Sequence, residues 1–245
     1  MHSLQPSVVR HVALRQGFPW LLAFRGYGPE IRQTRMGEVE RAGSEDKSMK
    51  IMLTAFLLVL SQVALADEAQ TLAKCPPEGD AVQAEARALN PLKRRMTLPQ
   101  ASDVDPKATL EAMLAPGDDR GRWSEQRAAQ ITAYVMDVKV GGIESVNCHT
   151  HSAAYRDTHI ELTAGGSSPE PLIVEVTPQW RVQHPEWTTP ELKRLLVGHW
   201  VRFTGWLMFD AEHAAESRNT CSRCSHVWRA SSWELHPVSA IEVVR

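Results

Sequence analysis

Seven side chains of the kinds that hold ligands or move protons stand out in the second half of this chain: His159, Glu161, Glu175, Arg202, Trp206, Glu234 and His236. Each follows or precedes an apolar residue inside a β-rich run, and successive side chains of a strand point to opposite faces. If Ile160, Leu162, Val174, Val176, Val201, Phe203 and Leu235 face a core, the seven share the opposite face. Carboxylates and imidazoles gathered on one face can hold a divalent ion. With an arginine and an indole they can instead form a polar platform for a peptide or glycan, or they can pair across strands as salt bridges. Asp157-x-His159 and Asp210-x-x-His213 have ligand spacing, so Asp157, His159, Asp210, His213 and His236 form the metal-candidate set, for an ion such as zinc or calcium. Such an ion could activate water for hydrolysis. Glu161, Glu175 and Glu234 could also work as an acid/base pair, but spacing along a chain gives no distance between them, so no residue is assigned to catalysis.

The four cysteines need separate treatment. In an oxidising compartment they favour disulfides, with Cys221 and Cys224 closing a small ring and Cys75 left to pair with Cys148. Three connectivities are open to four cysteines. Zinc held by Cys221, Cys224, His213 and His226 is the competing chemistry, and it needs reduced thiols.

The elements that must position these groups are short. Val82, Ala86 and Leu89 predict a helix over 79–90 that stops at Pro91, and Asp105-Pro106 opens a second one running to Leu114. Strands follow over 131–140, 158–163, 172–177 and 200–209, and 228–244 supplies one or two more. A helix over 191–197 falls between the third and fourth strands, and 210–227 reads as a polar loop. The order β-β-β-α-β-β predicts a mainly β fold, a five-stranded Greek-key barrel of OB type, over 128–245, with a small helical extension over 67–127. Gly205 would let the fourth strand coil tightly.

The segment Leu196-Val197-Gly198-His199-Trp200-Val201-Arg202-Phe203-Thr204-Gly205 resembles the helix-to-strand junction of small bacterial OB domains. Val174-Glu175-Val176-Thr177-Pro178 and Trp233-Glu234-Leu235-His236-Pro237-Val238 look like phrases of secreted bacterial OB-type proteins of unknown function. The resemblance covers about 128–245 and implies a fold, not an activity. The Gly-Asp-Thr and Arg-rich motifs of OB-fold nucleases do not occur.

Met49 to Ala66 reads as a signal peptide. Lys50 gives the positive start, Ile51 to Leu60 the uncharged run, and Ala64-Leu65-Ala66 the cleavage motif. Translation would then start at Met49, with 1–48 a non-native or untranslated leader. The product would be periplasmic or secreted and have no transmembrane span after cleavage. Of 27 basic and 29 acidic residues, 8 and 5 precede Asp67, which leaves 19 basic against 24 acidic. That balance counts against nucleic-acid partners, since phosphate needs a basic footprint. The leading expectation is a binding or interaction module for an envelope protein, peptide or glycan, not an enzyme and without a cofactor. The alternatives are a metal-dependent envelope hydrolase and, by fold analogy, a single-strand nucleic-acid binder.

Overall fold

The computed structural model describes residues 42–244. Most of the expected leader, 1–41, therefore lies outside the described residues. Ile51–Arg245 forms one compact unit, and of Met1–Lys50, which clusters separately, only the first turns of a helix are described. That helix, α1 (Ala42–Lys74), runs unbroken through the Ala64–Ala66 motif. Its stretch Met49–Lys74 is long and apolar enough to serve as a signal sequence or to cross a membrane.

Five strands close into a barrel: β1 (Ala128–Val140), β2 (Thr158–Thr163), β3 (Leu172–Val176), β4 (Trp200–Phe209) and β5 (Trp233–Val243), in the order β1-β2-β3-β5-β4. All neighbouring pairs are antiparallel except β3 with β5, which meet in parallel at Val174 and Leu235. Ile131, Val135, Ile160, Leu162, Val174, Val201, Phe203, Leu207 and Leu235 fill the interior. Period-two alternation of β-branched and large apolar residues thus builds the barrel wall as expected. Between β3 and β4 lie α4 (Pro178–Gln183), whose first turn is capped by the Thr177 hydroxyl, and α5 (Thr189–Leu196), ended by Gly198 at a positive φ.

The helices ahead of the barrel differ from the sequence reading in their limits. The first, α2, spans Ala84–Lys93 and carries Pro91 inside it. Pro91 lies in the last turn, so its missing N–H costs a single helical bond and the chain continues. The residues before it are used otherwise: Gly79 turns at φ +62 with its backbone against Ser145, where a Cβ would stand 1.9 Å from the carbonyl oxygen. The second, α3 (Leu110–Leu114), starts after Thr109, whose hydroxyl accepts from Ala112 N. Asp105 instead accepts from Lys107 N and donates its own N–H to the Ala128 carbonyl, anchoring the chain beside the start of β1. At the other end, Trp228–Ser232 stays irregular and only Trp233 onward joins the sheet.

The cysteine sulfurs pair at bonding distance as Cys75–Cys148 and Cys221–Cys224. The first pair ties the residues ahead of α2 to a 3-10 turn at Ser145–Asn147; Asn90 reinforces it by donating to the Glu78 carbonyl and to Ser145 Oγ. Segment 75–95 thus forms a strap fastened across one side of the barrel.

Gly205 marks the tightest approach of β4 to β5. A Cβ there would lie 2.7 Å from the Pro237 carbonyl oxygen and 3.1 Å from Leu235 Cβ. Gly205→Ala is expected to cost about 1–3 kcal/mol through overpacking. The check is a urea titration, where the midpoint should fall at unchanged slope; an unmoved midpoint would reject this account of the glycine.

Candidate functional site

Register assembles the site. His159 on β2 lies directly opposite Glu175 on β3, and Lys139 on β1 opposite His159. Because Leu235 meets Val174, its neighbours Glu234 and His236 fall on the same outward face as Glu175. Asp157 stands just ahead of β2. These outward residues are not wet: His236 is 1% exposed, Asp157 2% and Glu175 7%. The covering layer is the strap with α2, the turn at Ser145–Asn147, and the segment Asp210–Ser232, which contains a 3-10 stretch at Ala211–Glu216.

Charges removed from water need partners close at hand. Arg229, 1% exposed, donates to Asp210 at 3.0 Å and to Glu234 at 2.8 Å. Glu234 meets His236 Nδ1 at 3.1 Å through its other oxygen, and Asp210 meets His213 Nδ1 at 2.6 Å. Lys93, 3% exposed, reaches down from α2 to Glu144 at 2.7 Å and Glu212 at 3.3 Å. Asn147 donates to Asp157 Oδ1 at 3.1 Å, and His159 Nδ1 stands 3.4 Å from Glu175 Oε1. The outer edge is aromatic: Trp228 packs on His159 and His213, with Lys139 over its ring.

The partners set the protonation states. Burial would lower His236, yet the carboxylates of Asp157, Glu234 and Glu175 raise it to about 10. Burial would raise Glu175, but His159 and the charge of His236 hold it down at about 2. Glu144 moves the other way: burial, helped by repulsion from Glu175 and Asp157, pushes it up to about 7 although Lys93 opposes. Lys93 itself is held well above its ordinary value because Glu144 and Asp210 outweigh its burial.

Among the described residues, the buried polar atoms without a hydrogen-bond partner include Asp157 Oδ2, His159 Nε2, Glu175 Oε2 and His236 Nε2. His236 Nε2 and Asp157 Oδ2 stand 3.3 Å apart.

The residues singled out from sequence divide into groups. His159, Glu175, Glu234 and His236 come together with Asp157. Asp210 and His213 pair with each other and join the cluster through Arg229. Glu161 sits at its edge, bound to Lys139. Arg202 pairs with Glu242 across β4 and β5, and Trp206 donates to the Thr97 carbonyl under the Arg95 guanidinium, so neither contributes to the cluster. Cys221 and Cys224 are bonded to each other, which removes the zinc set that included them. Sequence reasoning missed Lys93, Glu144, Asn147 and Arg229. Nothing in the run Leu92-Lys93-Arg94-Arg95 distinguishes the one lysine that turns inward.

Two measurements test the network. Arg229→Met leaves Asp210 and Glu234 buried without their cation and should cost about 3–5 kcal/mol in urea unfolding; a loss near zero would mean that the carboxylates find water. His213, raised from 6.5 to about 9 by its hydrogen bond to Asp210 against the pull of burial, stabilises the fold when protonated. That contribution is complete below pH about 6.5 and is lost as pH rises through about 9. The wild type should lose stability across this window relative to His213→Ala; parallel pH profiles would reject the pairing.

No protein family and no curated protein matches this chain.

Proposed function

We propose that this protein is exported and works as an OB-type binding module that receives a basic side chain of an envelope peptide or protein. Export is supported by the apolar helix with its Ala64-Leu65-Ala66 motif and by two cysteine pairs at disulfide distance, with no free cysteine among the described residues. The OB-type reading is supported by the strand order β1-β2-β3-β5-β4 and by helices between β3 and β4.

One observation carries the binding role. A pocket of about 360 Å³ opens between the strap and the turn after β1, lined by Asp80, Val82, Gln83, Ile143, Glu144 and Glu212. Glu144 and Glu212 are the two carboxylates that hold Lys93, so the pocket floor is the upper edge of the charged layer. Val82 and Ile143 expose apolar walls. No lysine or arginine lines the pocket, and its histidine, His149, is paired with Asp80 at 2.8 Å. An acidic floor under apolar walls suits an ammonium or guanidinium at the end of a hydrocarbon stem. A larger groove of about 660 Å³ beside α5 is lined by Lys139, Lys193 and Arg181 and so carries the opposite charge.

The test is fluorescence anisotropy with a labelled peptide carrying lysine and with the same peptide carrying norleucine. The lysine form should bind about tenfold more tightly, a difference of about 1.4 kcal/mol, and should weaken with salt. Ile143→Trp should block both peptides. Equal binding of the two, or no effect of Ile143→Trp, would refute the assignment.

A further inference from the structure

Beneath the Lys93 layer, three side chains share an arrangement. Each has one polar atom tied down and a second left over. Asp157 accepts from Asn147 through Oδ1 and leaves Oδ2. Glu175 faces His159 through Oε1 and leaves Oε2. His236 bonds Glu234 through Nδ1 and leaves Nε2, and Glu234 is in turn held by Arg229. One ligand atom from each of the three lies within 4.8 Å of the others, Glu175 Oε2 stands 3.9 Å from His236 Nδ1 on the ring's near edge, and all three side chains are buried.

We infer that Asp157 Oδ2, Glu175 Oε2 and His236 Nε2 form a binding site for a first-row divalent metal ion. Atoms 3.3 Å apart, as Oδ2 and Nε2 are, fit a common ion about 2.1–2.2 Å from each at an angle of about 100°. A ligating imidazole ordinarily has its other ring nitrogen bonded to a carboxylate, and ligating carboxylates are themselves hydrogen-bonded. Glu234, Asn147 and His159 supply those outer contacts here. Six carboxylates, those of Glu144, Asp157, Glu175, Asp210, Glu212 and Glu234, converge on this layer, and its cations are Lys93, Arg229 and the protonated His213 and His236. A divalent ion takes the place of the His236 Nε2 proton, which leaves to solvent, and adds positive charge where the carboxylates converge. Two carboxylate oxygens and one imidazole nitrogen suit zinc or manganese better than calcium, which prefers oxygen alone. Three protein donors leave a coordination position for water.

This site does not depend on the peptide pocket: the metal test uses no peptide, and the peptide test needs no metal. The full chain, purified without chelator, should carry about one zinc or manganese per chain by elemental analysis. After stripping, calorimetry with each ion should restore one-to-one binding and raise the unfolding temperature. Asn147→Ala, which frees Asp157 without removing a ligand, should weaken binding about 10–100-fold. Asp157→Asn with Glu175→Gln should abolish it while circular dichroism stays native. The inference is overturned if neither ion is present or binds the stripped wild type, in which case water or a protonated His236 fills the centre. It is equally overturned if the folded double variant binds as tightly as the wild type.

Discussion

A β-barrel that fills its interior with Ile160, Val174, Phe203 and Leu235 has to place the residues between them on its outside. In most barrels that outside is wet. Here β2, β3 and β5 present histidines and carboxylates outward, and the chain then covers them. The constraint on the rest of the molecule follows from dielectric response, because an ionised carboxylate taken out of water is tolerated only with a charged or hydrogen-bonding partner beside it. Arg229 and Lys93 meet that condition from different elements, one on the segment that leads into β5 and one on α2. The strap, its tie to the Ser145–Asn147 turn, and the irregular run from Asp210 to Ser232 all serve to bring these two cations within reach. Asp119 takes part in the same way: buried completely, it accepts from Ser231, Ser232 and Asn219 and so fixes the course of the chain into β5.

The cover changes what the barrel face can do. A polar sheet face open to water would meet a partner along its whole width. With the strap in place, most of that face is covered, and a pocket beside Glu144 and Glu212 opens at the edge of the cover. The carboxylates at that pocket, Glu144 and Glu212, have their positions fixed by Lys93 and the buried layer behind them. Groups buried with so many partners have few alternative rotamers, so little conformational entropy remains to be lost when something binds.

Much of the barrel was legible because a strand with one buried face must alternate, and 158–163, 172–177 and 200–209 do so plainly. The same parity put His159, Glu175, Glu234 and His236 on a common face. Within the metal-candidate set, Asp210 and His213 form their own pair, whereas Glu175, read as a platform residue, stands with Asp157 and His236. What could not be read was the cover. An outward face that is solvated and one that is buried under a strap have the same alternation, and the difference lies in contacts between residues far apart in sequence. Lys93 and Glu212 are a case in point. Pro91 misled for a local reason, since a proline in a last turn ends nothing, and Asp119 was hidden inside what reads as an ordinary turn.

The strap also fixes an order of events. It belongs to the first part of the chain beyond the apolar helix, whereas Asp210, Arg229, Glu234 and His236 come last. A chain synthesised from its amino end delivers the cover long before the surface it covers. Cys75 waits for Cys148, 73 residues later, and Lys93 waits for the 3-10 stretch holding Glu212. The charged groups therefore stay hydrated until the carboxyl-terminal strand has emerged and zipped against β3 and β4. Closure of the interior therefore waits for the last strand, and the high sequence separation of its contacts makes it slow relative to local helix formation. A protein arranged this way cannot bury its acidic layer early: the layer stays in water until its last cation arrives.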